Sequence, residues 1–362
     1  MPISMGFSLP FSRKKELIGL DIGSGAIKLV QVKEIGKGYQ LQKFGVKALD
    51  SELIVDGTIM DAGRVVSVIK ELLEEQAVKI KDVAVSVSGH SVIVKKISLP
   101  VMTEDELEES IKWEAEQYIP FDINDVNIDF HILGTADNQE SKEQMAVLLV
   151  AVKKDKLTEY TTLVTEAGLN PVIVDVDAFT LENMFGINYE AREGEIVALV
   201  NIGASVMNIN ILKGGTFAFT RDISIGGNRY NETIQREFNI SYEQAEKAKR
   251  NEPVEGIDPQ ALSTIINNLN AEISSEVIRS FDYFKTTSTN ENIDRILLSG
   301  GASKLSDLLS QLAEKSGVPV EMVNPFKKVD IPKKLFDQEY IQEMGPLAAV
   351  GIGLAIRKIG DR

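Results

Sequence analysis

The chain has 362 residues, 43% of them hydrophobic and 26% charged, enough for two or three domains with a sizeable core. A formal net charge of −15 argues against a nucleic-acid partner, the lack of cysteine excludes disulfides and thiolate chemistry, and only two histidines argue against histidine-based triads or zinc sites. No apolar run approaches the roughly 20 residues a spanning helix needs, so a cytoplasmic protein is expected.

Residues 1–15 mix Met5, Phe7, Leu9 and Phe11 with Arg13, Lys14 and Lys15. The apolar stretch is too interrupted for a secretory signal. It reads as a flexible tail or as a weak contact for an anionic membrane surface or an apolar groove. Residues 17–33, LIGLDIGSGAIKLVQVK, then read as strand, tight turn, strand. Ile18, Leu20 and Ile22 alternate up to Gly23-Ser24-Gly25, and Ala26 leads into Ile27, Leu29, Val30 and Val32. Consecutive N–H groups of a glycine turn can cradle phosphate oxygens. Asp21 and Lys28 add a carboxylate for Mg²⁺-bound water and an ammonium for phosphate. An ordinary hairpin with flanking charges is the other reading.

A further strand is expected over 39–48 and a helix over 64–73. Strands over 83–87 and 92–97 follow, joined by Ser88-Gly89-His90. A helix from Thr103, with Glu106 completing a capping box, stops before Pro120. Trp113, Tyr118 and Phe121 are expected to be core residues. Strands over 126–133 and 145–152 flank a polar loop, 137–143. A helix from 155 to a left-handed cap at Gly168 and a strand over 172–176 complete an α+β insert.

The second half restarts the pattern. Residues 196–211 give strand, Gly203-Ala204-Ser205 turn, strand, and 215–225 adds another arm, so the first hairpin is expected to be duplicated. Helices are expected over 228–238, 241–250 and 259–286. A strand over 295–299 runs into Gly300-Gly301-Ala302-Ser303, followed by a helix over 304–315, a strand over 318–323 and a small-residue helix over 345–359.

Three glycine turns, each ending an apolar strand, resemble the actin-like ATPases. DIGSGAIK at 21–28 resembles that superfamily's first phosphate loop, NIGAS at 201–205 its second and LSGGASKL at 298–305 its adenosine motif. Within it the chain resembles the PilM family of type IV pilus assembly. The resemblance rests on KWEAEQYIPFDINDVNIDFHIL at 112–133, LVAVKKDKLTEYTTLVTEAGLNPVIVDVDAFTLEN at 149–183, NPF at 324–326 and GPLAAVGIGLAIR at 345–357. An FtsA-type C-terminal membrane helix is missing, which favours PilM.

The resemblance implies an α/β actin-like fold of duplicated ribonuclease-H-like halves. The boundaries it implies are a tail at 1–15, a first half at 16–82, an FtsA-like inserted subdomain at 83–177 and a second half at 178–362 that ends in a helix returning to the first. It implies ATP or ADP with Mg²⁺, held by Gly23, Ser24, Gly25, Ala26 and Lys28, by Asn201, Gly203, Ala204 and Ser205, and by Gly300, Gly301, Ala302 and Lys304. Glu246 and then Lys249 stand where the fold contacts ribose and base, though both also fit a solvated face. Asp21 is the expected metal residue. Asp177 either positions the attacking water or caps the helix 178–185. The implied partners are the N-terminal peptide of a PilN-like inner-membrane protein, other pilus assembly proteins and possible self-association. The peptide's groove is expected near the insert's helix 103–119 and its sheet.

Asn201 stands where the second loop usually carries Asp, and Val206, Met207 and Asn208 replace residues that are often Thr, Thr and Asp. An amide has no charge to organise a metal's water shell, so at most a weak ATPase is expected. A filament-forming scaffold and a sugar kinase are the alternative readings.

Overall fold

The computed structural model describes residues 16–55, 57–135, 144–288 and 291–360; the expected tail and the loop 137–143 lie outside them. Two sheets carry the architecture. The first runs in the order Asn170–Val176, Asp82–Val87, Ile18–Ile22, Ala26–Ile35, Gly38–Ala48 and Val329–Asp330. The second runs Thr216–Ile223, Met207–Lys213, Ile196–Ile202, Arg295–Ser299 and Val320–Met322. In each, a central strand pairs antiparallel with the next strand in sequence and parallel with a later one. The central strands are Ile-, Leu- and Val-rich and buried on both faces, as a covered sheet requires. The duplication extends to register: Asp21 faces Lys28, and Asn201 faces Asn208, each 180 positions further on.

The insert is narrower than 83–177. Its own sheet has three antiparallel strands, Val92–Pro100, Gln144–Lys153 and Val126–Thr135, with Gln144–Lys153 in the middle. Strands Asp82–Val87 and Asn170–Val176 pair with each other and extend the first sheet, a long-range pairing that local pattern does not reveal. Helix Lys154–Glu166 also belongs to the first half. Its Tyr160, Leu163 and Val164 share a core with Ile18, Leu20, Val65, Ile69 and Leu72.

Helix Glu104–Glu116 covers the three-stranded sheet through Leu107, Ile111 and Ala115. The capping box between Thr103 and Glu106 is present, with both reciprocal bonds made. Trp113 is not a core residue: it is 79% exposed, because it lies off the Leu107–Ile111–Ala115 stripe. Tyr118 and Phe121 are half-buried, each beneath a lysine ammonium, Lys95 at 5.1 Å and Lys153 at 4.5 Å from the ring centres.

The helix expected over 304–315 divides into a 3₁₀ turn, Gly301–Lys304, and a helix, Leu308–Ser316. The closing helix likewise starts as a 3₁₀ turn around Pro346, Gly345–Ala348, and continues as Ala349–Ala355, all of it buried. It packs between the strand Ile18–Ile22 and helix Asp177–Asn188, in a core shared by both halves. The return to the first half is more than a helix. Val329–Asp330 pairs with the first sheet's edge, and Phe326 stacks edge-on against Phe44 at 5.5 Å. Among the described residues no helix is long and apolar enough to cross a membrane.

Candidate functional site

The three glycine turns end strands that all point into one cleft between the two halves. The cleft holds a cavity of about 1100 Å³. Asp21, Gly23, Ser24, Gly25, Ala26 and Lys28 line it from the first hairpin, and Asn201, Gly203 and Ala204 from the second. Gly300, Gly301, Ala302 and Lys304 line it from the third turn, with Glu246, Lys249 and Asp177 around them. Of the expected residues only Ser205 is absent from the lining. It turns inward, where its hydroxyl accepts from Asn228 Nδ2 at 3.2 Å, and its neighbour Val206 faces the cavity instead.

The turns are glycine-built for reasons of space. A Cβ on Gly23 would stand 2.8 Å from Lys28 Nζ, and one on Gly25 2.8 Å from the Cβ of Ala204, so the first two turns almost touch. Gly300 has φ +89°, and a Cβ there would overlap the carbonyl oxygen of Ile202. Gly227 and Asn228, at the start of helix Gly227–Phe238, donate their N–H groups to the carbonyls of Gly203 and Ala204 at 2.9 and 2.8 Å. This fixes the second turn against a rigid element.

Charge is distributed unequally between the hairpins. In the first, Lys28 Nζ sits 3.1 Å from Asp21 Oδ2. At the matching positions of the second, two neutral amides pair, with Asn201 Nδ2 donating to Asn208 Oδ1 at 3.0 Å. Lys249 pairs with Glu246, which also accepts from Asn231 Nδ2 at 2.7 Å and from Arg250. Burial pushes the Glu246 carboxyl up, but Lys249 and these bonds outweigh it and hold it below the usual range. Lys304 pairs with Glu343 at 3.2 Å.

Asp177 does not cap its helix. It is the first helical residue of Asp177–Asn188, Val176 holds the cap position, and no side-chain cap bond is made. Its carboxylate instead accepts from Ser86 Oγ at 2.6 Å on the cavity wall. Burial, followed by the charge of Asp21, raises it to about 7 despite the bonds from Ser86 and Ser88. Tyr160, also on the wall, is pushed well above the ordinary phenol range by burial and by Asp177.

Sequence reasoning missed Ser86, Ser88, Tyr160 and Tyr242 as wall residues. Asn208 carried a signal, since it stands seven residues after Asn201 as Lys28 does after Asp21. The residues fit a nucleotide: glycine turns leave room for phosphates and Lys28 stands beside them. They do not form a protein cage for a metal. Among the described residues no group of three or more acidic, histidine or cysteine side chains could hold one. Asp21, paired with Lys28, suits only a magnesium ion that arrives on the nucleotide and keeps most of its water.

Solved structures show the same architecture. The chain is 30% identical to a protein of a PilM–PilN type IV pilus biogenesis complex, with a TM-score of 0.84 over 96% of this chain and 100% of that one. EutJ, an ethanolamine utilization protein from Carboxydothermus hydrogenoformans, matches at 15% identity and TM-score 0.54, over 94% of this chain and 89% of that one. MreB5 of Spiroplasma citri, solved bound to ADP, matches at 14% identity and TM-score 0.51, over 94% of each chain. These last two show the actin-like fold alone. The family model described as type IV pilus assembly protein PilM matches residues 19–359, nearly the whole of the sequence. With that span matched, the chain belongs to the PilM family of type IV pilus assembly proteins.

Proposed function

We propose that this protein is a nucleotide-binding adaptor of a type IV pilus machine. In this reading it docks the N-terminal cytoplasmic peptide of a PilN-like inner-membrane protein and is held at the inner membrane by that partner and other pilus proteins. The observation that carries the nucleotide half is the convergence of three glycine turns and Lys28 on one cavity. The partner half is supported by likeness to the protein of the PilM–PilN complex. The peptide is expected beside the three-stranded module, whose outer strands, Val92–Pro100 and Val126–Thr135, offer sheet edges for backbone pairing.

ATP or ADP would act mainly as a clamp between the halves, because the first turn belongs to the first sheet and the second and third to the second, so a nucleotide held by the residues of all three would join the two sheets. When bound, ATP with Mg²⁺ supplies a phosphoanhydride and the charge that polarises it. The chain's own residues are poorly equipped to help. Asn201 brings no charge, and Asp177, raised to about 7, is only partly ionised at neutral pH. Hydrolysis is therefore weak or absent.

Restoring the charge tests this. Asn201→Asp is expected to raise phosphate release from ATP by about tenfold or more. In that variant, release climbs as pH rises from 6 to 8, since a carboxyl with a raised pKa becomes a water-orienting carboxylate only above about 7. The same substitution with Asp177→Asn flattens the profile. Turnover unchanged by Asn201→Asp removes the argument from charge.

A further inference from the structure

We infer that Asp222, which does not line the cavity, is the positioning residue that sets the orientation of the side-chain amides at the second glycine turn. The same carboxylate ties that turn to the root of the three-stranded module. The inference rests on the nucleotide reading for what those amides meet.

Asp222 lies in strand Thr216–Ile223, directly opposite Asn208. Both of its carboxylate oxygens accept hydrogen bonds, Oδ1 from Asn208 Nδ2 at 2.8 Å and Oδ2 from the backbone N–H of Gly89 at 2.6 Å. An ionised carboxylate can only accept, so Asn208 must turn its NH₂ group toward it. That leaves Asn208 Oδ1 facing Asn201, whose Nδ2 donates to it at 3.0 Å. Asn201 Oδ1 is then left on the side of Ser299, whose hydroxyl donates to it at 3.2 Å. A hydroxyl can serve as donor or acceptor and fixes nothing by itself. Only the carboxylate end has a role set by its chemistry, and each amide orientation follows from the one before it.

The result matters at the cavity, because Asn201 and Asn208 both line it. One N–H of Asn201 is committed to Asn208, and its second is a donor suited to a phosphate oxygen. If the row were reversed, Asn201 would offer its carbonyl to the neighbouring amide differently and the pattern presented to phosphate would change.

The other end of the row reaches a different part of the fold. Gly89, at φ +83°, belongs to the short connection between Asp82–Val87 and Val92–Pro100, where the chain enters the three-stranded module. The next residue, His90, meets Ser224 Oγ through Nε2 at 2.7 Å, so Asp222 and Ser224, the residue just past the end of its strand, hold this connection at two points. A ligand that engages Asn201 therefore acts on a bonded row that ends at the module's root.

A charge swap tests the row. Asn208→Asp alone places two carboxylates side by side, and Asp222→Asn alone gives its carbonyl to the Gly89 N–H and turns its NH₂ toward Asn208, which reverses the row. Together they move the acceptor-only group one position closer to Asn201, which must still donate to it, while the amide at 222 gives its carbonyl to Gly89. We expect each single variant to bind ADP at least about tenfold more weakly and to melt at a lower temperature. The double variant should recover to within about threefold of the parent affinity and regain most of the melting temperature. ADP should slow amide exchange at Gly89 in the parent and the double variant, but not in the singles. A double variant whose melting loss equals the sum of the singles overturns the row. Recovery of melting with no ADP binding by any of the four proteins overturns the positioning role and the nucleotide reading, and leaves only a structural network.

Discussion

Replacing Gly353 with alanine is expected to lower the melting temperature by roughly 4 °C, corresponding to about 3 kcal/mol of overpacking in a chain of 362 residues. Gly353 lies where the closing helix crosses helix Asp177–Asn188 backbone to backbone. A Cβ there would overlap the carbonyl oxygen of Thr180 and stand 2.5 Å from its carbonyl carbon. Neither helix can yield cheaply. The closing helix is buried along its whole length, and on its other side Gly351 faces Val30 while Gly19 leaves room for its backbone. The crossing joins the two halves, so a shift there would also disturb the cleft between the first two glycine turns. Gly186, on the partner helix, has open space at its Cβ position. Its change to alanine should raise stability slightly, since glycine costs a helix interior up to about 1 kcal/mol relative to alanine. Opposite signs for the two variants in thermal denaturation would confirm that the close approach, and not helix propensity, is what the glycine serves.

Lys28→Ala is expected to weaken nucleotide binding by about 100-fold or more, read by isothermal titration with ADP. A charge-assisted bond to phosphate contributes about 1.5–3 kcal/mol, and a hundredfold change is close to 2.7 kcal/mol. Removing the ammonium also uncovers the Asp21 carboxylate 3.1 Å away, which then repels the phosphates it had tolerated. Adding Asp21→Asn to Lys28→Ala should therefore recover part of the lost affinity. Binding indifferent to Lys28 would mean that phosphate lies elsewhere in the cavity.

The two hairpins were legible in sequence because apolar alternation broken by glycine is a local signal. Their equivalence followed from the repeated order of strand, glycine turn and strand, and the register adds the same spacing of Asp21 to Lys28 and Asn201 to Asn208. The capping box at Thr103 was legible for the same reason, and the solvent position of Trp113 could have been. Leu107, Ile111 and Ala115 define the buried stripe, and a residue two positions past Ile111 points about 200° away from it. The width of the insert was not legible, because Asp82–Val87 and Asn170–Val176 find each other across more than 80 residues. Asp177 shifted from cap to first helical residue by a single position, within the usual uncertainty of helix ends. Asp222 was hidden for a more particular reason. Its pairing with Asn208 depends on a register interrupted by an irregularity between Ile211 and Leu212, and no local pattern fixes where that falls.

The central claim is that nucleotide in the cleft governs how the protein holds its membrane partner. Its most direct test is fluorescence anisotropy of a labelled N-terminal cytoplasmic peptide of the PilN-like protein, titrated with this protein with and without saturating ATP and Mg²⁺. The clamp predicts that nucleotide tightens peptide binding by about fivefold or more, and that Lys28→Ala loses this gain while keeping the basal affinity. Equal peptide affinity in the presence and absence of bound nucleotide would contradict it.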